Sequence, residues 1–216
     1  MNIDFARQQM IDQQVRAWTV LDPAVLAALS AVPREEFVPA NYESMAFADM
    51  EIPLGHGEFM MTPTVEGRVL QALELNSNED VLEIGTGSGF LTACLAKLSG
   101  TVTSVDIHED FVRSAARKLT NARIGNVELQ TLDATRELPD GRYDAIAVTG
   151  SIERFDPRFV DALKPGGRLF VVVGMPPVME ARLVRRTADT DWRSEVLFET
   201  SLAPLVHGTL PPQFVF

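Results

Sequence analysis

The chain has 216 residues, 46% of them hydrophobic, enough to bury one substantial core. Against 19 Lys and Arg stand 30 Asp and Glu, a formal charge of -11, which argues against a general electrostatic grip on nucleic acid or an anionic membrane. A single cysteine, Cys94, excludes a disulfide framework within the chain, and no apolar run approaches membrane-spanning length.

The opening stretch, Met1-Asn2-Ile3-Asp4-Phe5-Ala6-Arg7, lacks the basic-then-apolar pattern of a signal peptide, so a soluble, cytoplasmic protein is expected. Ile11, Val15 and Trp18 share a helical face, with Trp18 expected in the core or closing an apolar acceptor pocket. Asp22-Pro23 is a cap and first position for a second helix carrying Val25, Leu26 and Leu29, which Pro33 ends. The prolines of residues 32–39 favour an extended, turn-rich path over the surface. Residues 53–63 read as a glycine-containing loop feeding a helix, with Thr62 as N-cap, Pro63 at the first position and Val65, Val69 and Leu73 as the buried stripe. The apolar residues of that loop form either a plug over the core or the wall of a pocket.

From residue 80 strand and helix signals alternate at short intervals, the pattern of a doubly wound, mostly parallel α/β sheet. Strands are expected at residues 81–84, 102–105, 127–130, 143–148 and 169–173. The first ends in Gly85-Thr86-Gly87-Ser88-Gly89 and is followed by a helix whose Leu91, Leu95 and Leu98 recur at helical spacing. Cys94 lies on that helix as a small core residue. The helix N-terminus points at whatever the loop holds and favours negative groups. Glycines at alternate positions let a ligand approach the backbone without meeting a Cβ. Phe90 stands where the dinucleotide fingerprint GxGxxG places its third glycine, which argues against NAD and FAD. Phe111, Ala115 and Leu119 mark another helix, and Asp156-Pro157 opens one carrying Phe159, Val160 and Leu163 before the Pro165-Gly166-Gly167 turn. Residues 181–186 and 192–198 read as an antiparallel hairpin at one sheet edge, with Arg185-Arg186 a solvated edge. The Gln213-Phe214-Val215-Phe216 terminus is expected to pack on its own domain or a neighbour.

In doubly wound sheets the ligand sits beyond the carboxyl ends of the strands. Asp106 closes the second strand about twenty positions after Gly85, the spacing at which a carboxylate accepts from ribose hydroxyls. Asp133 follows the third strand, where it could take an adenine amino group. Either alone is commonly a strand-end or turn residue, but with the glycine loop they favour a nucleoside ligand. His56, between two glycines, is a candidate general base for a hydroxyl acceptor or a loop residue satisfied by backbone. His108 is expected to be exposed beside the ribose, and His207 lies in the tail. Three scattered histidines and one cysteine have no metal-ligand spacing, so no metal site is expected.

These residues resemble the protein-L-isoaspartate (D-aspartate) O-methyltransferases over roughly residues 10–205. Val32-Pro33-Arg34 through Phe37-Val38-Pro39 matches that family's VPRxxFVP, Leu54-Gly55-His56-Gly57 its IGxG, and residues 81–89 its VLEIGTGSG. Asn126-Val127, Asp133, Tyr143-Asp144-Ala145-Ile146 and Gly166-Gly167 fall in register. The resemblance implies a class I, Rossmann-like fold that moves the methyl group of S-adenosylmethionine to a carboxylate of a protein, peptide or small molecule. The expected cofactor-binding set is Glu83, Gly85, Thr86, Gly87, Ser88, Gly89, Asp106, Ile107, Asp133 and Ala134. Where the family typically has Q-T-I-S-Q-P, this chain reads Glu58-Phe59-Met60-Met61-Thr62-Pro63. Met61 cannot replace a serine hydroxyl, so an altered acceptor pocket built from His56, Glu58, Phe59, Met60, Met61 and Thr62 is expected, with isoaspartyl peptides poor acceptors. The alternatives are O-methylation of a small apolar carboxylate or phenol, or a binding module without turnover. One domain is expected throughout 1–216: a helical cap and acceptor loop in 1–60, a cofactor-binding core in 61–205 and a tail in 206–216.

Overall fold

The computed structural model describes residues 2–188 and 190–208. The chain begins with helix α1 (Ile3–Met10), continued by a wider turn over Ile11–Val15 and a tight turn over Arg16–Trp18. Ile11 and Val15 are buried as their spacing predicts, but Trp18 is 40% exposed, its ring edge-on to Phe198 at 6.1 Å. It does not reach the cleft at the strand ends. Helix α2 (Pro23–Ala31) starts where expected, with the Asp22 carboxylate accepting from the Ala24 and Val25 amides. Such a cap is worth about 1 kcal/mol.

Two expectations for the next segments fail. Residues 32–39 do not run over the surface, because Arg34 and Phe37 are both fully buried. The Arg34 guanidinium donates to the Ala46 carbonyl at 2.8 Å, the Met61 carbonyl at 2.8 Å and the Glu66 carboxylate, so one side chain ties three segments together. Beyond it, residues 53–63 are no plain loop. They contain the antiparallel hairpin β1 (Ile52–Gly55) and β2 (Glu58–Met60), whose Gly55-His56-Gly57 turn has all three φ angles positive. Thr62 then caps α3 (Pro63–Leu73) by accepting from the Val65 amide, and Val65, Val69 and Leu73 are buried as predicted.

The remaining elements are β3 (Asp80–Ile84), α4 (Phe90–Leu98), β4 (Thr101–Asp106), α5 (Glu109–Asn121), β5 (Val127–Thr131), β6 (Tyr143–Ile152), α6 (Arg158–Asp161), β7 (Leu163–Met175), β8 (Val178–Arg186) and β9 (Trp192–Glu199). The sheet order is β5-β4-β3-β6-β7-β8-β9. Pairings from β5 to β7 are parallel, and β8 and β9 add antiparallel strands at one edge. The order reverses between β3 and β6, the point where such sheets open a crevice. Central strands buried on both faces read as apolar runs such as Ala145, Ile146, Ala147 and Val148, all fully buried. Cys94 is a buried free thiol in α4.

Leu163, assigned to a helix by its spacing, instead opens β7, since α6 is a single turn. The arginine pair also departs from expectation. β9, not β8, forms the edge, and Arg186 is buried, donating to the carbonyls of Asp161 at 3.2 Å and Leu163 at 2.6 Å. Arg185 pairs with Glu74 at 2.8 Å. The Phe214-Val215-Phe216 terminus lies outside the described residues. Among those described, no helix is long and apolar enough to cross a membrane.

Candidate active site

An open cleft of about 750 Å³ lies beyond the carboxyl ends of β3, β4, β5 and β6. One wall comes from the glycine loop and strand ends: Gly85, Gly87, Asp106, Ile107, Asp133 and Ala134 all face it. The facing wall comes from Leu54, Glu58 and Phe59 of the β1-β2 hairpin, together with the adjoining Met61. A third side is closed by Leu202, Ala203, Leu205 and Val206, held beside β6 by Ser151, whose amide donates to Ala203 and whose carbonyl accepts from Leu205, both at 2.9 Å.

The glycine loop is shaped by what surrounds it. Gly85, Gly87 and Gly89 all have positive φ, and a Cβ on Gly85 would run into the Thr149 hydroxyl. That hydroxyl is within hydrogen-bonding distance of the Ile84 and Gly85 carbonyls at 2.9 and 2.8 Å, so it holds the strand end in place while leaving the other side of Gly85 open. The Thr86 hydroxyl bonds Ser104 at 2.7 Å, and Gly89 precedes α4 in the left-handed conformation. Thr86 and Ser88 face a smaller recess behind the loop, shared with Met60, Met61, Glu66 and Glu83.

Asp106 has each carboxylate oxygen anchored by a backbone amide: Gly87 donates at 2.8 Å and His108 at 2.9 Å. Burial pushes its pKa up, and those two bonds pull against the rise. Two partners leave lone pairs free for a diol. Asp133 is more fully occupied. Its Oδ1 accepts from the Thr135 amide at 3.0 Å and hydroxyl at 2.5 Å, and its Oδ2 lies 2.9 Å from His207 and 3.1 Å from Arg136. Burial raises its pKa, but the Thr135 and His207 bonds outweigh this and leave the carboxyl below its ordinary range.

Glu83 is fully buried in β3, with Oε2 accepting from Thr92 and, at 2.6 Å, from Ser104. Its Oε1 is buried without a partner, and burial pushes the carboxyl up to about 8. A neutral acid therefore sits beneath the glycine loop at pH 7. Burial likewise raises Glu66, against the pull of Arg34, and raises Glu51 and Glu58 at the cleft wall.

The acceptor-side candidates divide. Glu58, Phe59 and Met61 face the cleft and Met60 only the recess, while Phe59 remains 44% exposed. Thr62 faces neither: its hydroxyl is used on the Val65 amide and on Thr64 at 2.9 Å. His56 stands at the rim and bonds Asp110, not backbone. His108 is partly buried rather than exposed, and its ring stacks on that of His56. Sequence reasoning missed Thr149, Glu51 and the segment at residues 202–206, none of which carries a motif of its own.

The profile of the Protein-L-isoaspartate(D-aspartate) O-methyltransferase family matches residues 5–210. A Protein-L-isoaspartate O-methyltransferase 1 of Rhodopseudomonas palustris is 39% identical over 93% of this chain and 82% of its own length. A Protein-L-isoaspartate O-methyltransferase 2 of Pelobacter propionicus is 37% identical over 95% and 92%. In fold, the chain is similar to a solved structure assigned as a Plasmodium falciparum protein-L-isoaspartate O-methyltransferase in complex with S-adenosyl-L-homocysteine. The TM-score is 0.81 at 18% identity, covering 95% of this chain and 99% of the other. The match over nearly the whole length, with relatives of that name at 39% and 37% identity, places this chain in the protein-L-isoaspartate(D-aspartate) O-methyltransferase family.

Proposed function

We propose that the chain transfers the methyl group of S-adenosylmethionine to the carboxylate of an isoaspartyl residue in a protein or peptide. The observation that carries this is a single cleft in which a nucleoside-type wall, Gly85 to Asp106, faces a separate wall from the β1-β2 hairpin. The family and the names of relatives support the choice of acceptor. The residues fit the cofactor, because Gly85 and Gly87 bring bare backbone to the cleft and Asp106 keeps acceptor capacity for two hydroxyls.

In this reading Asp106 takes the ribose hydroxyls, Ile107 and Ala134 flank the base, and Asp133 takes the adenine amino group in exchange for the exposed Arg136 on its Oδ2. Gly85, Thr86, Gly87, Ser88 and Gly89 bring backbone close to the amino-acid portion, with Glu83 supporting them from below. Bound S-adenosylmethionine supplies an electrophilic methyl group on a cationic sulfur. The carboxylates at Asp106, Glu58 and Glu51 give that cation a negative surrounding. An acceptor carboxylate is already a nucleophile at neutral pH, so the chain need only align it and exclude water, with no general base. Residues 1–60 act as the acceptor-side cap and 61–205 as the carrier core, within one domain. This reading takes the cytoplasm as the compartment, with which the buried, unpaired Cys94 is compatible.

A second reading rests on Phe59 and Met61, whose side chains make the acceptor wall apolar. It takes a small apolar carboxylate or phenol as acceptor. Labelled S-adenosylmethionine, offered with a synthetic isoaspartyl peptide, its aspartyl counterpart and a panel of small carboxylates and phenols, separates the two. Label on the isoaspartyl peptide alone is the expected result, the reverse of the poor acceptance expected from residues 58–62 by sequence, because the family and its named relatives favour that acceptor. Label only on a small acceptor establishes the second reading, and cofactor binding with no labelled product overturns both.

A further inference from the structure

The histidines that are scattered in sequence converge in space. His56 stands in the β1-β2 turn at φ 54°, a backbone state that non-glycine residues rarely adopt, between two positive-φ glycines. His108 immediately precedes α5. Their rings stack with centroids 4.1 Å apart and planes 9° apart, and Phe111 packs edge-on against both. Asp110 completes the group, with its two oxygens 3.1 and 3.0 Å from His56 Nε2. On the other side Glu58 Oε1 lies 3.9 Å from His108 Nε2, an atom that is buried with no hydrogen-bond partner. One donor atom from each of His56, His108 and Asp110 falls within 4.8 Å of the others.

We propose that His56, His108 and Asp110, with Glu58 as an additional donor, form a binding site for a borderline divalent transition ion of the Zn²⁺ type. Two imidazoles and a carboxylate are a donor set that this class of ion takes in four-coordinate sites. The ion would take the place of the hydrogen on His56 Nε2, with the ring keeping its proton on Nδ1. The two stacked rings are nearly parallel, so the His56 and Asp110 side chains, 45% and 54% exposed, must turn to bring their donors to metal distance. His108 stays where Phe111 holds it, with Nε2 facing Glu58. The acidic partners keep the local field favourable to a dication. The donors come from two segments far apart in the chain, so no ligand spacing in the sequence announces them.

A bound ion would link the hairpin turn to the start of α5. Both Glu58 and His108 line the cleft mouth, so the link spans the two walls that the cofactor and the acceptor must pass. This inference does not depend on the methyl acceptor, nor on the chain being an active enzyme.

The test uses the full chain without a polyhistidine tag, stripped with chelator and titrated with Co²⁺ and then Zn²⁺. The expected result is one Co²⁺ per chain, with the intense visible absorption of a four-coordinate site, displaced by Zn²⁺. His108→Ala and Asp110→Asn should each weaken Zn²⁺ binding by roughly tenfold or more, as loss of a ligand must exceed the loss of a supporting contact. His207→Ala should leave it unchanged. Asp110 is exposed, so its variant keeps the fold even if the His108 variant does not. Absence of stoichiometric uptake, or equal uptake by the Asp110 variant, overturns the proposal.

Discussion

The two walls of the cleft are built on different principles. The carrier wall is part of the sheet: the Gly85 and Thr86 amides donate to Val105 at 2.8 and 3.2 Å, Gly87 donates to Asp106, and the Thr86 and Thr149 hydroxyls add further bonds. The acceptor wall is a hairpin of four- and three-residue strands paired at Ile52 with Met60, Pro53 with Phe59 and Gly55 with Glu58. A two-stranded ribbon of this size has little stability of its own. Its hold on the body includes a single buried guanidinium, Arg34, bonded to the Met61 carbonyl. Many redundant bonds fix where the group is carried, whereas few side chains fix where it goes.

The sharpest way to break that contrast is Arg34→Ala. Removing one partner of a buried pair leaves Glu66 uncompensated, at a cost of about 3–5 kcal/mol. Urea unfolding should register this loss, and a change under about 1 kcal/mol would refute the tether.

A probe of the carrier side is pH. Folded Glu83 keeps its proton up to about pH 8, while its ordinary value is 4.5. Its contribution to stability is therefore complete below about pH 4.5 and is lost as pH rises through 8. Thermal unfolding between these limits should show stability falling by a few kcal/mol. Glu83→Gln, neutral throughout, should flatten that slope, leaving the smaller part due to Glu66 and Asp106. An unchanged slope would mean that Glu83 is not the titrating group.

Next in size is Asp106→Ala, which should weaken S-adenosylmethionine by about 1.5–3 kcal/mol, the worth of a charged hydrogen-bonding partner. Calorimetric titration reads this directly, and undiminished affinity removes the ribose assignment. Smallest is Phe59→Ala on the facing wall. It should raise the acceptor KM several-fold, roughly 1 kcal/mol of lost apolar contact, while leaving cofactor affinity alone. A matching loss of cofactor affinity would show that the two walls do not divide the work.

The same division governs what the sequence discloses. The run from Val81 to Leu98 is local: apolar strand, alternate glycines and a helical leucine stripe each act within a few residues, and β3 and α4 form as read. The caps at Asp22 and Thr62 are legible for the same reason. Arg34 is not, since its worth depends on Glu66, 32 positions away. Nor is the hairpin, because β1 and β2 are too short for an alternating pattern to declare itself. Arg186 reads as surface because nothing near it in sequence predicts the carbonyls of Asp161 and Leu163 that cover it. Asp106 and Asp133 lie where the sheet topology places strand ends, but only the structure shows that one keeps open lone pairs while the other is nearly used up.

The segment of residues 202–206 closes one side of the cleft although it comes after every strand of the sheet in chain order. During synthesis the seven strands leave the ribosome before it does. A nascent chain can thus assemble its sheet and glycine loop while that side stays open, and firm retention of a ligand must wait until Ala203 and Leu205 have docked on Ser151.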